Sequence, residues 1–114
     1  MTQVIGIDLG GTAIKLGRFS KDGICHQSLT VSTPQPATPE AVLAAMTDAI
    51  LQLNPIENDV SAIGIGTPGP ADAAGRLARV AINLKNWHNV PLADWVEAKT
   101  GLPTILANDA NCAG

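Results

Sequence analysis

A glycine-rich turn follows the first apolar run of the chain, and its residue types could bind a phosphate. Gly10 and Gly11 have no Cβ to obstruct an approaching anion, and they can adopt backbone conformations that are closed to other residues. Consecutive N–H groups in such a turn form an anion-binding nest, and Thr12 adds a hydroxyl donor. Asp8 could order a magnesium ion through water, because magnesium keeps several of its waters in proteins. We expect phosphate or ATP binding here, with Lys15 included, although two glycines alone are also typical of an ordinary hairpin turn.

Asp109 follows the last apolar run of the chain and is a candidate catalytic base. It lies in the segment Asn108-Asp109-Ala110-Asn111, where a helix could begin. The positive end of a helix would keep the carboxylate ionised and therefore able to accept a proton. The same position also suits a structural N-cap, so the residue alone leaves both roles open.

Two further segments are candidates for a ligand site, and the second of them has residue types that suit a sugar. Gly66 begins the sequence GTPGP directly after a predicted buried strand, and α/β sheets bind ligands beyond the carboxyl ends of their strands. Asn83 lies in NLKNW, where amide groups can bond hydroxyls in both directions and the Trp87 indole can cover a C–H surface. The structural alternatives are a plain turn at Gly66 and a solvated loop anchored by Trp87.

The composition is that of one soluble globular domain. The chain has 114 residues, of which 46% are hydrophobic and 15% charged, and its net charge is −3. A domain of this size can bury a core without disulfides or metal. The few basic residues are scattered and the chain has one Phe, two Trp and no Tyr, which argues against a nucleic-acid partner. No run approaches the ~20 apolar residues of a membrane span, so we expect no membrane partner and a cytoplasmic location.

The cysteine and histidine residues do not form a metal-binding pattern. Cys25 and Cys112 are far apart and outside any CxxC spacing, so we expect both to be reduced. His26 and His88 stand alone, without a partner at metal-ligand spacing. We therefore expect no metal site in this chain, apart from the magnesium ion that Asp8 could hold through water.

The pattern of apolar residues predicts an α/β fold with a mixed sheet of about five strands. The first three strands are joined by Gly-rich turns and should be antiparallel, whereas the later strands alternate with helices and should be parallel. Residues 71–90 have no strong period and are predicted to be irregular. The predicted elements are strands 3–8, 13–19 and 24–31, a helix 39–53 capped by Thr38, a strand 60–65, a helix 91–100 ended by Gly101, and a strand 103–107.

Four segments in this order and spacing resemble the N-terminal half of the ROK family (repressors, open reading frames, kinases). They are IGIDLGGT at 5–12, GIGTPGP at 64–70, NLKNW at 83–87 and LPTILANDAN at 102–111. The resemblance implies an actin-like, ribonuclease-H-like domain in which the DLGGT turn faces the nucleotide phosphates. It implies that Asp109 deprotonates the sugar hydroxyl, and that Gly66, Asn83 and Asn108 lie along the sugar pocket.

In that family a second, larger domain carries a zinc-binding His/Cys motif, further sugar ligands and the adenosine site. The resemblance therefore implies that residues 1–114 are an N-terminal ROK kinase domain without its C-terminal domain. We expect zinc only in that other part of the protein, a homo-oligomer in the full-length form, and no turnover by these residues alone.

The expected function is ATP- and magnesium-dependent phosphorylation of a hexose, with glucose as the favoured substrate and glucose 6-phosphate as product. One alternative is a polyphosphate-using glucokinase, because STPQPATP at 32–39 resembles the matching stretch of that branch of the family. A second is a sugar-sensing ROK regulator, although its winged-helix domain would precede DLGGT and Asp8 lies close to Met1. A third is an actin- or chaperone-type ATPase, which shares the phosphate turn.

Overall fold

The computed structural model of the chain describes residues 3–67, 78–80 and 88–108, which form strands and two helices. In chain order the elements are β1 (Gln3–Leu9), β2 (Ala13–Ser20), β3 (Cys25–Ser32), α1 (Pro39–Gln52), β4 (Val60–Thr67), β5 (Ala78–Val80), β6 (His88–Val90), α2 (Leu92–Thr100) and β7 (Thr104–Asn108). Neither helix has the length and apolar character that crossing a bilayer would require.

The main sheet has five strands in the order β3-β2-β1-β4-β7. β2 is antiparallel to both β1 and β3, while β4 is parallel to both β1 and β7. The antiparallel strands are joined by tight turns, whereas α1 and α2 provide the long connections that parallel neighbours need. The predicted mixed sheet of three antiparallel and then parallel strands is confirmed.

The segment 71–90, predicted to be irregular, contains two short strands. β5 and β6 form a separate antiparallel pair in which Ala78 lies opposite Val90 and Val80 opposite His88. Each strand has three residues, which is too few for an alternating pattern to be recognised in the sequence. The prediction was therefore wrong for these six residues, and the cause is the length of the strands.

The start of α1 and the end of α2 lie at residues whose types predict a boundary. Thr38 accepts a hydrogen bond from the Ala41 N–H at 3.3 Å, and Pro39 occupies the first turn of α1. Gly101 ends α2 in the left-handed conformation, with φ of 74°, and its N–H bonds the carbonyl of Glu97 at 2.8 Å. Local sequence therefore sets one end of each helix that covers the sheet.

One face of the sheet carries the hydrophobic core. Alternate strand residues turn to this face and pack with the apolar residues of α1 and α2, because the side-chain period of a strand is two. Its buried members are Ile5, Ile7, Leu9, Ile14, Leu16, Val42, Met46, Ile50, Ile63, Ile65, Leu92, Val96 and Leu106, among others. The intervening residues of β1, including Asp8, consequently turn to the opposite face.

The opposite face is lined by glycines at its centre. Gly6 on β1 is paired with Gly17 on β2 and with Gly64 on β4. A Cβ built on Gly17 would come within 2.8 Å of two carbons of the Phe19 ring, so this ring lies over the glycine. This row of glycines forms a shallow trough, which the Phe19 ring covers over Gly17 and Gly6 and which is open over Gly64.

We expect the N-cap of α1 to stabilise the fold measurably. Thr38→Ala removes the acceptor for the Ala41 N–H and should lower the free energy of unfolding by about 1 kcal/mol. Thr38→Ser keeps the oxygen and should stay close to wild type. Urea denaturation followed by circular dichroism measures both variants, and equal midpoints for Ala and Ser would contradict a capping role.

Candidate functional site

The carboxyl ends of three parallel strands meet at one edge of the sheet. In the register of these strands Asp8 lies beside Gly66, and Thr67 lies beside Asn108. The turn from β1 to β2, which contains Gly10, Gly11 and Thr12, leaves from the same edge. Three of the four motifs singled out from the sequence are therefore brought together, at the end of the sheet where α/β folds bind ligands.

Gly10 is required by a close backbone approach. Its N–H donates to the carbonyl of Ala13 at 3.1 Å, and a Cβ at this position would lie 2.8 Å from that same oxygen. Gly10 and Gly11 can adopt backbone conformations that are closed to other residues, but this turn does not use left-handed backbone, since the glycines with positive φ are Gly23 and Gly101 in the part of the chain described. The tight fit, and not left-handed backbone, excludes larger residues from Gly10.

The carbonyl groups of the turn are bonded by the segment that follows β3. The Thr33 hydroxyl donates to the carbonyl of Gly10 at 2.8 Å, and the Gln35 side-chain amide donates to that of Gly11 at 3.0 Å. The backbone N–H of Thr33 donates to the carbonyl of Thr12, also at 3.0 Å. Three consecutive carbonyls of the turn are therefore already satisfied within the protein.

The amide hydrogens of the same turn are available. Across residues 3–67, 78–80 and 88–108, the structure shows no acceptor for the N–H of Gly11 or of Thr12. A turn with bonded carbonyls and unbonded N–H groups presents donors to its surroundings. This is the arrangement of an anion-binding nest.

Asp8 and Lys15 face each other across the β1–β2 pair and are both exposed. Both line a groove of about 600 Å³ that runs along the glycine trough and is also bordered by Gly66. A single exposed carboxylate fits magnesium held mainly through water, since this ion uses few protein carboxylates. The Lys15 ammonium would add positive charge for a phosphate at the same end of the groove.

The structure describes two of the other predicted site residues, at least in their backbone, whereas two more lie outside the described residues. Gly66 is buried at the end of β4. Asn108 ends β7, and its backbone is described. Asn83 and Asp109 lie outside the described residues.

Sequence reasoning missed the part that Thr33 and Gln35 play in this turn. Both lie in the Pro-rich connection after β3. β3 is parallel to β1, so its carboxyl end reaches the edge where the glycine turn lies. The available signal was that polar residues directly follow a strand. This signal could be interpreted only once the strand order was known, because the order decides which turn those residues can reach.

Comparison with known proteins shows what this chain is similar to. The family model described as "ROK family" matches residues 4–114. The glucokinase of Thermotoga maritima is 37% identical over 109 residues, which are 96% of this chain and 34% of the relative. The glucokinase of Streptomyces coelicolor is 35% identical over 113 residues, which are 99% of this chain and again 34% of the relative. The chain thus spans about a third of the length of these curated relatives.

Two solved structures are similar to the chain over nearly its whole length. A ROK family glucokinase from Streptomyces griseus, in complex with glucose and AMPPNP, has a TM-score of 0.87 at 37% identity. The match covers 96% of this chain and 34% of that one. A polyphosphate/ATP-glucomannokinase from Arthrobacter sp. strain KM has a TM-score of 0.81 at 32% identity, covering 96% and 45% of the two chains. The expected actin-like, ribonuclease-H-like fold is confirmed.

We expect Gly10→Ala to destabilise the chain, whereas the matched change Gly64→Ala should not. The new methyl group at residue 10 would press on the Ala13 carbonyl at 2.8 Å, while a Cβ at residue 64 would meet nothing within 4 Å. Relief of such a clash requires a backbone shift, which costs roughly 1–3 kcal/mol. Denaturation midpoints of the two variants measure the difference, and equal midpoints would show that the turn tolerates a side chain.

Proposed function

Since the chain belongs to the ROK family, we propose that residues 1–114 form the N-terminal, phosphate-binding domain of a longer sugar kinase. The observation that carries the proposal is the glycine turn, whose carbonyls are bonded while the N–H groups of Gly11 and Thr12 have no acceptor in the part of the chain that the structure describes. This turn lies at the carboxyl edge of the sheet, beside Asp8. Below, the full-length protein means this chain together with the proposed second domain.

The proposed reaction transfers the γ-phosphoryl group of ATP to a hydroxyl of a hexose. In phosphoryl transfer the protein mainly positions the reactants and stabilises charge on the phosphate oxygens. The N–H groups of Gly11 and Thr12 would bind those oxygens, and the exposed Lys15 ammonium would add positive charge. A magnesium ion held through water by Asp8 would supply further neutralisation when bound. No zinc ligands are assigned to this chain.

Glucose is the hexose we favour, with glucose 6-phosphate as product. The similar proteins of Thermotoga maritima and Streptomyces coelicolor are named glucokinases, and the Streptomyces griseus structure contains glucose. Asn83, Gly66 and Asn108 are the proposed sugar-binding residues of this chain. The proposal also includes a cytoplasmic location and a homo-oligomeric full-length protein.

Asp109 is the proposed catalytic base. It is the next residue after Asn108, whose backbone ends β7 beside Thr67. A sugar hydroxyl is a poor nucleophile until its proton is removed, and a carboxylate within hydrogen-bond reach can accept that proton.

Polyphosphate is a second candidate donor. The turn offers donors to phosphate oxygens and no described feature of it recognises a nucleoside. One structural neighbour is named a polyphosphate/ATP-glucomannokinase, with a TM-score of 0.81. We expect the choice between ATP and polyphosphate to be decided by the residues of the proposed second domain that would bind adenosine.

An assay of the full-length protein tests the function directly. With glucose, magnesium and ATP we expect glucose 6-phosphate to form, and replacing ATP by polyphosphate decides between the donors. Mannose and a β-glucoside test the choice of sugar, and residues 1–114 alone serve as the inactive control. Failure to phosphorylate any of these sugars with either donor would refute the kinase assignment.

We expect Asp109→Asn in the full-length protein to lower kcat by about 10²–10⁴, the usual range for loss of a general base. Asparagine keeps the size and can still cap a helix, so folding should persist. It can also bond a hydroxyl, so sugar affinity should change less than kcat.

Asp48→Asn is the matched control, because Asp48 is an exposed residue of α1. Steady-state kinetics with a glucose-binding titration separates the two roles of Asp109. A folded Asp109→Asn protein that retains most of its kcat would leave this residue as a structural cap.

A further inference from the structure

We propose that Thr33 and Gln35 are positioning residues that hold the glycine turn in its phosphate-binding conformation. The inference rests on the proposed function, in which this turn binds the phosphates of the donor. We do not propose that either residue contacts the substrate. Both act through the backbone of the turn, from the side away from the bound phosphate.

Peptide geometry links each of these hydrogen bonds to one amide hydrogen. In a planar trans peptide the C=O of one residue and the N–H of the next point in opposite directions. The Thr33 hydroxyl holds the carbonyl of Gly10, so it directs the N–H of Gly11 away from itself. The Gln35 amide holds the carbonyl of Gly11 and directs the N–H of Thr12 in the same manner. The two bonded carbonyls are therefore those of the two peptides whose N–H groups have no acceptor among the described residues.

The glycine turn needs such a restraint more than other turns do. Glycine populates many backbone conformations, so the peptide between Gly10 and Gly11 has little intrinsic preference for one orientation. If this peptide rotated, its carbonyl oxygen would face the phosphate and repel it. Holding the donors in place before binding reduces the cost of ordering them, which is the general advantage of a preorganised site.

The two residues differ in their surroundings, and the difference predicts their relative importance. Thr33 is only 4% exposed, and its backbone N–H also bonds the carbonyl of Thr12. Gln35 is exposed, so water competes for its amide and for the carbonyl of Gly11. We expect the loss of the Thr33 hydroxyl to have the larger effect.

The test uses Thr33→Val in the full-length protein. Valine has the shape of threonine without the hydroxyl, and the backbone bond from residue 33 to Thr12 remains, so the fold should persist. The Michaelis constant for the phosphoryl donor should rise roughly 3- to 10-fold, as expected for one hydrogen bond. The Michaelis constant for glucose should change less than about 2-fold.

Three further variants separate positioning from a general loss of stability. Thr33→Ser keeps the hydroxyl and should restore donor binding, and Gln35→Ala should shift the donor constant in the same direction by less. Thr47→Val is the matched control, since the Thr47 hydroxyl also bonds a backbone carbonyl, that of Leu43 at 3.0 Å, but within α1. If the donor and sugar constants change together in Thr33→Val, or if neither changes in a folded protein, the proposal is overturned.

A binding measurement keeps this inference distinct from the kinase assignment. Tripolyphosphate with magnesium is added to full-length protein labelled with ¹⁵N-glycine, and the amide signal of Gly11 is followed by NMR. We expect a shift in wild type that needs higher tripolyphosphate concentrations in Thr33→Val. A wild-type shift without any sugar phosphorylation would refute the kinase but leave the positioning role standing. No wild-type shift at Gly11 would refute the phosphate turn and the positioning role together.

Discussion

The position of β1 between an antiparallel and a parallel neighbour is the constraint on which the rest of the structure depends. Its pairing with β2 places the glycine turn at the carboxyl end of β1, and its pairing with β4 brings Gly66 to the same end. Burial of Ile5, Ile7 and Leu9 against the helices then decides the orientation of Asp8, because strand residues alternate between faces. A shift of one residue in this strand would move the carboxylate into the core and lose the site.

The polar groups of the turn that could bind an anion belong to its backbone. The protein forms hydrogen bonds to the carbonyl groups of Gly10, Gly11 and Thr12 and so leaves the amide hydrogens as the donors of the turn. Carbonyls that are bonded by Thr33 and Gln35 cannot oppose an anion, and within the described residues the N–H groups of Gly11 and Thr12 have no acceptor. Glycine suits this turn because Gly10 lies against the Ala13 carbonyl. Gly6, Gly17 and Gly64 continue along the groove beside Asp8, where the Phe19 ring lies over the first two and the space above Gly64 is open.

Much of the fold could be predicted because local patterns control it. Alternating apolar residues defined the strands of the main sheet, and Thr38, Pro39 and Gly101 marked the ends of the helices. The pair β5–β6 could not be predicted, since three-residue strands carry no readable period. At the candidate site, Asp8, Gly10 and Thr12 were proposed from their residue types, and this role stays a prediction. Thr33 and Gln35 were missed because nothing local distinguishes them from other polar residues of a Pro-rich connection.

The sequence by itself determined the strands of the main sheet and the two helices, the family resemblance and the residue types that could bind phosphate. These depend on interactions between residues that are close along the chain, or on motifs of a few residues. Only the tertiary structure decided which groups of the turn remain free. Thr33 lies 23 residues after Gly10, and their hydrogen bond exists because β3 runs parallel to β1 with β2 between them. Strand order is a property of long-range pairing, so the direction of the amide hydrogens could not be inferred before the sheet was known.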